Sequence, residues 1–237
     1  EHRVDQVDHV VQAHRVGQQL VVFFGIGQDR QCANLVDQPG KVAPDDDEAD
    51  AGPQTQTVQV NGRQLRYLKR GDGGTPLLLI HGFGGDLNNW LFNHEALAAS
   101  RAVYAIDLPG HGASTKVTGA ASLDDLADAV SGFMEAVGIA SADVVGHSMG
   151  GGVCLALTRR APQKVKSLTL IASAGLGSDI NGAYIDGFVA GNTRNALKPL
   201  LAQLFSDAGL VTRQLIDDML KYKRLEGVDE ALATLAG

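Results

Sequence analysis

Two short stretches of the chain could do nucleophilic chemistry. Gly146-His147-Ser148-Met149-Gly150 has the G-x-S-x-G spacing of a nucleophile elbow. Ala142 to Val145 before it reads as a short buried strand, and Val153 to Leu157 after it as the apolar part of a helix ending near Arg159 and Arg160. A sharp turn between strand and helix forces the serine into a strained backbone conformation, and a side chain at 146 or 150 would collide with neighbouring backbone. Ser148 Oγ is thereby lifted clear of the sheet. The Met149 N–H, at the helix start, faces the place where an oxyanion would form. The competing reading is an ordinary N-cap serine in a glycine-rich turn; the flanking strand and helix favour the elbow. The second stretch is His81-Gly82-Phe83-Gly84-Gly85, directly after the apolar run Pro76 to Ile80. A turn after a strand covered on both faces can present the Phe83 N–H as a second oxyanion donor, with Gly82 shaping the turn. His81 reads as a structural residue of that turn rather than a base.

Other candidates carry less. Asp107 and His111, in the polar turn Asp107 to Ser114, resemble an acid–base pair, but they follow the wrong strand for a triad and read as loop hydrogen bonding. His2, His9 and His14 do not share a helix face, and Cys32 and Cys154 are isolated, so neither a metal site nor a disulfide framework is indicated. Lys221-Tyr222-Lys223-Arg224 is a local basic cluster. It reads as a solvated face, with a site for an anionic acyl carrier as the alternative. Tyr184, Phe188 and Tyr222 are candidate pocket residues.

The elements that must position these groups follow in order. Thr57 to Val60, Asn61-Gly62 and Arg63 to Leu68 form a hairpin signature. Strands are expected at Pro76 to Ile80, Ala102 to Ile106, Ala142 to Val145 and Ser167 to Ala172. They alternate with helices at Asn88 to Ala99, from Ser122 (N-cap, with Asp125 completing a capping box) to Val137, and after Ser148. In the first of these, Trp90, Leu91 and Leu97 are available to the core. This alternation predicts an α/β fold with a doubly wound, mostly parallel sheet. After Gly175 the pattern turns helical (181–191, 193–205 and 211–225), as expected for a cap over the serine. The domains are therefore an uncertain segment with an acidic linker at 1–56 and a main domain at 57–237, with core 57–175 and cap 176–237.

Charge separates the same two parts. Residues 1–56 hold four Lys/Arg against ten Asp/Glu, a net of −6, out of −7 for the whole chain. No basic face suggests nucleic acid. Leu20 to Ile26 could be a strand; it is too short to span a membrane, and its polar, acidic lead makes a poor signal peptide. A cytoplasmic protein with no membrane partner is the default.

With these motifs placed, residues 57–237 resemble the α/β-hydrolase fold family, through His81 to Gly84, Asp107 to Ser114 and Gly146 to Gly150. More narrowly they are similar to the hydrolase-fold domain of dihydrolipoamide acetyltransferase components of acetoin dehydrogenase, through Gly82 to Asn93, Asn181 to Phe188 and Leu220 to Leu225. The resemblance implies serine acyl-enzyme chemistry on a small ester or thioester, with lipoamide or coenzyme A as acyl carrier and other acetoin dehydrogenase components as partners. No cofactor is required for hydrolysis itself. A carboxylesterase and a non-catalytic hydrolase-fold fragment stay open. Two departures stand out. Lys41 lacks the neighbours of a lipoyl lysine, so either the lipoyl domain that the resemblance implies has been lost or residues 1–56 are foreign or mistranslated sequence. No histidine follows Ser148, where the family's acid and histidine stand, so a C-terminally incomplete domain is expected.

Overall fold

The computed structural model describes residues 9–16, 19–26, 54–116, 119–205 and 207–237, the first two stretches as backbone only. The acidic linker, Cys32, Lys41 and His2 lie outside the described residues, as do the side chains of His9 and His14. Among the described residues no helix is long and apolar enough to cross a membrane.

Among the described residues eight strands form one sheet: β1 (His9–Val16), β2 (Gln19–Ile26), β3 (Gln56–Val60), β4 (Arg63–Arg70), β5 (Leu77–Ile80), β6 (Val103–Ile106), β7 (Ala142–His147) and β8 (Val165–Ile171). Their order is β1-β2-β8-β7-β5-β6-β4-β3. The central strands β6, β5, β7 and β8 are parallel. The outer pairings, β3 with β4, β4 with β6, β8 with β2 and β2 with β1, are antiparallel. The sheet is therefore mixed, with the parallel character concentrated at its centre. β2 covers the Leu20 to Ile26 run. The β3–β4 hairpin turns at Asn61 (φ 50°) and Gly62 (φ 78°), the left-handed pair that a two-residue hairpin turn demands.

The period-2 alternation of the central strands sorts side chains into two cores. Leu78 and Ile80 of β5, with Tyr104 and Ile106 of β6, face Phe133, Met134 and Val130 of α2 (Leu123–Ala136) and Val153 and Leu157 of α3 (Met149–Arg160). Leu77 and Leu79, with Val103 and Ala105, face Trp90 and Leu87 on the other side. Apolar runs rather than alternating ones are what a sheet covered on both faces requires. β5 leads to β6 on one side, and the chain then crosses back to β7 on the other. The C-terminal ends of β5 and β7 are thus neighbours, in register at Ile80 and Gly146, which is where open α/β sheets place their sites.

Three local expectations need correction. The Asn88 to Ala99 helix is split into a 3-10 turn at Leu87–Trp90, capped by Asp86, and α1 (Leu91–Ala98). Trp90 is buried, but Leu91 is exposed, because the break rotates it off the core-facing side. Ser122 does cap α2 through the Asp125 N–H (3.1 Å), but the Asp125 carboxylate does not return the bond. It accepts instead from Arg63 Nη2 at 3.0 Å, a tertiary partner stronger than a neutral backbone N–H. The helical region after Gly175 comprises α4 (Gly182–Ala190), α5 (Arg194–Leu201), two 3-10 turns, α6 (Arg213–Lys223) and α7 (Val228–Ala236). The last of these has no counterpart in the expected elements.

Candidate active site

Ser148 is the N-cap of α3 in position only. Its backbone lies at φ 53°, ψ −121°, and its side chain makes no capping hydrogen bond. A capping serine has extended backbone and bonds the N2 or N3 amide, so the ordinary-cap reading does not hold. The strain is over-determined by its surroundings. Ser148 N donates to Ile171 O (3.0 Å), and Ser148 O accepts from Gly151 N (2.9 Å) and Ala174 N (3.0 Å). The glycines explain why the chain can come this close. A Cβ on Gly146 would strike the Gly150 carbonyl, and one on Gly150 would strike the carbonyls of Ile80 and His81. Gly151 and Gly152 extend the small-residue entry, and a Cβ on Gly151 would strike Ser173.

The His81–Gly85 loop abuts the Ser148 turn. A Cβ on Gly82 would stand 2.9 Å from Ser148 Cβ and 3.2 Å from the His147 carbonyl oxygen. Among the described residues neither the Phe83 N–H nor the Met149 N–H donates to a carbonyl. Met149 N–H is one of the orphan donors of a helix start. The partly exposed Ser148 thus stands at a helix start with the Gly82 backbone packed against its side chain, an arrangement compatible with acyl-transfer chemistry.

The nearby histidines are held neutral. His81 is fully buried; its Nε2 accepts from Leu108 N–H (3.0 Å), which places the proton on Nδ1, donating to Gly82 O (2.8 Å). Both nitrogens are used in tying β5 to the loop after β6, so His81 has none left for a Ser148 proton. His111 is equally buried and stands edge-on to His81, with ring centroids 4.9 Å apart. Burial first, then a charge on His81, push His111 down to about 3. Burial likewise lowers His81 and His147. Asp107 is spent on structure. Its carboxylate accepts from Leu87 N–H (2.8 Å), Ala113 N–H (2.8 Å) and Arg66 Nε (2.5 Å). Gly112, at φ 50°, has no Cβ to meet that carboxylate. Asp107 and His111 therefore brace the loop.

The cap reaches this site through aromatics. Phe188 is fully buried, with its ring 6.0 Å from that of Phe83 and edge-on to it. Tyr184 stacks on Phe188 at 6.0 Å, and burial pushes its hydroxyl up to about 12. Tyr222 packs against the same cluster, and its buried hydroxyl has no hydrogen-bond partner among the described residues. The basic cluster at 221–224 is not one face. Lys221 is exposed beside Asp218 (3.3 Å), whereas the Lys223 side chain is 2% exposed and points into the cap. Helical spacing is the signal that separates these two lysines: Lys223 follows Ile216 and Leu220 by seven and three residues, on the buried face, and Lys221 does not. A shallow cleft lined by Asp128, Ser131, Leu157 and Arg160 lies at the far end of α3 from Ser148, bridged by the Arg160–Asp128 ion pair.

Comparison with known proteins identifies the family. The chain is 60% identical over 186 residues to the dihydrolipoyllysine-residue acetyltransferase component of the acetoin cleaving system of Pseudomonas putida, covering 78% of this chain and 50% of that protein. It is 49% identical over 193 residues to the component of the same name from Cupriavidus necator, covering 81% and 52%. The chain thus spans about half the length of the curated relatives it matches. Among solved structures, a meta-cleavage product hydrolase from Pseudomonas fluorescens IP01 superposes with a TM-score of 0.70 at 26% identity, covering 76% of this chain and 67% of that one. Residues 75–230, which carry the Ser148 turn, the His81–Gly85 loop and most of the helical region after Gly175, match the family model described as alpha/beta hydrolase fold. With a strand–turn–helix at Ser148 and a mixed sheet that is parallel at its centre, the chain belongs to the α/β-hydrolase fold family.

Proposed function

We infer that Ser148 is the nucleophile of an acyl-transferring enzyme acting on an ester or thioester. The observation that carries this reading is the strained backbone of Ser148, whose side chain takes no capping role. A non-glycine residue at positive φ costs of order 1–3 kcal/mol and persists where its surroundings, and often a function, hold it.

In this chemistry Ser148 Oγ attacks the acyl carbon. The new C–O bond sends an electron pair to the carbonyl oxygen, and the N–H groups of Phe83 and Met149 hold the resulting oxyanion. Collapse expels an alkoxide or thiolate and leaves an acyl-Ser148. An acceptor oxygen or sulfur then attacks the ester and releases Ser148. The serine proton needs a base. His81 has no free nitrogen, His111 is too weak, and no histidine of this chain follows Ser148. The reading therefore requires a base other than His81 and His111.

The names of the two acetyltransferase relatives favour a thiol acceptor and a place with acetoin-cleaving components. Acetyl dihydrolipoamide would be the donor, and lipoamide or coenzyme A the carrier. The hydrolase names among the solved neighbours favour water, which would make the protein a carboxylesterase-like hydrolase. A fluorophosphonate probe tests the common step. The protein isolated from its native source is expected to label, and Ser148→Ala to abolish labelling. No labelling of that protein overturns both enzymatic readings and leaves a non-catalytic domain. Thioester turnover with and without free thiol then separates transferase from hydrolase.

A further inference from the structure

Lys223 is a buried cation with an unusually complete set of partners. Its Nζ donates to Phe188 O (2.8 Å) and Val189 O (3.0 Å), and lies 3.1 Å from the Asp229 carboxylate. Two of its N–H bonds are taken by carbonyls, and its charge is paired by the carboxylate. The two carbonyls belong to the last turn of α4, where backbone acceptors have no partner within the helix and the dipole favours a cation. The cation comes from α6 and its carboxylate partner from α7, so one side chain joins three cap helices. The ammonium also lies 5.2 Å from the centre of the Phe188 ring.

Phe188 carries this constraint to the site. Its ring atoms lie 2.5 and 2.7 Å from where a Gly84 Cβ would stand, so the ring occupies the space that the missing side chain leaves. Gly84 is at φ 71° and follows Phe83, whose N–H is the proposed oxyanion donor. The same ring stands edge-on to Phe83. From Lys223 the contacts run through the end of α4 and the Phe188 ring to the Phe83–Gly84 peptide, without a gap.

We propose that Lys223 is a positioning residue for the oxyanion loop, holding the end of α4 so that Phe188 presses the Phe83–Gly84 turn against Ser148. The catalytic part of this proposal rests on the reading of Phe83 as an oxyanion donor; the mechanical part does not. The test therefore has two readouts. Amide hydrogen exchange on the wild type and K223M is followed in peptides covering residues 82–85, 186–191 and the central strands. Fluorophosphonate labelling of Ser148 is followed in the same pair. K223M is expected to raise exchange about tenfold at 82–85 and 186–191 while β5 and β7 stay protected, and to slow labelling about tenfold. K223R, which keeps the charge and the donors, is expected to recover much of both effects. F188L is expected to loosen 82–85 alone, leaving 186–191 protected.

Unchanged exchange at 82–85 in K223M overturns the proposal. So does a uniform rise across all peptides, or failure of K223M to fold combined with an unaffected 82–85 segment in F188L. If the wild type itself does not label, the serine-nucleophile reading falls, and the exchange pattern alone decides whether Lys223 positions the loop.

Discussion

The Ser148 elbow and the helical region after Gly175, here called the cap, are held by different physics. The elbow is positioned by backbone. Ser148 is tied through its own N–H and C=O to Ile171, Gly151 and Ala174, and glycines at 146 and 150 remove the atoms that would collide. The cap is positioned by side chains: a small aliphatic and aromatic core around Phe188, Leu197 and Leu220, and one buried ammonium. The difference teaches where each can tolerate change. A backbone fit has no spare volume, whereas a side-chain cluster can repack.

The sharpest way to break this comparison is to add volume at the elbow. Gly146→Val is expected to destabilise the whole domain by about 3 kcal/mol or more in urea unfolding, since the obstructing atoms are backbone rather than side chain. A cost under 1 kcal/mol would mean the elbow is as plastic as the cap. Acid comes next, because it acts on the loop between the two regions. His111 is held neutral, so its contribution is fully present above the ordinary histidine range near 6.5 and is lost as pH falls toward about 3. Unfolding free energy is expected to fall by roughly 2–3 kcal/mol between pH 7.5 and 4.5 on this account. His111→Gln should flatten that slope, and an unchanged slope would remove His111 as its source.

A smaller effect of opposite sign is expected at the nucleophile. Ser148→Gly relieves a positive φ and should stabilise the fold by about 1 kcal/mol while abolishing labelling. A loss of stability would show that the serine side chain, not the backbone, holds the turn. The smallest effect is reserved for the neighbour of the buried lysine. Lys221→Ala, which removes an exposed ammonium beside an exposed carboxylate, should leave the urea midpoint unchanged within error. An equal response at 221 and 223 would collapse the distinction between strap and surface.

Much of the sheet was legible because its signals are local. Apolar runs at Leu77 to Ile80 and Val103 to Ile106, the Asn61-Gly62 turn and the Ser122 cap each depend on a few adjacent residues. The elbow was legible for the same reason, as two glycines and a serine at fixed spacing specify a turn. What misled was long-range. Asp125 looked like half of a capping box until Arg63, distant in sequence, took its carboxylate. Leu91 is a local exception: a 3-10 turn capped by Asp86 breaks the helix just before it and leaves it exposed.

The sequence by itself determined the nucleophile candidate, the two glycine-rich turns around it and the α/β alternation, because backbone sterics and strand period act over a handful of residues. Only the tertiary structure decided that the turns after β5 and β7 are neighbours, since strand order depends on which side of β5 each crossover takes. It alone decided that Phe188 fills the space at Gly84, and that the Lys223 ammonium meets the carbonyls of Phe188 and Val189 and the Asp229 carboxylate. Burying a charge is favourable only where acceptors converge, and here they come from the end of α4 and from α7, which no local pattern around residue 223 encodes.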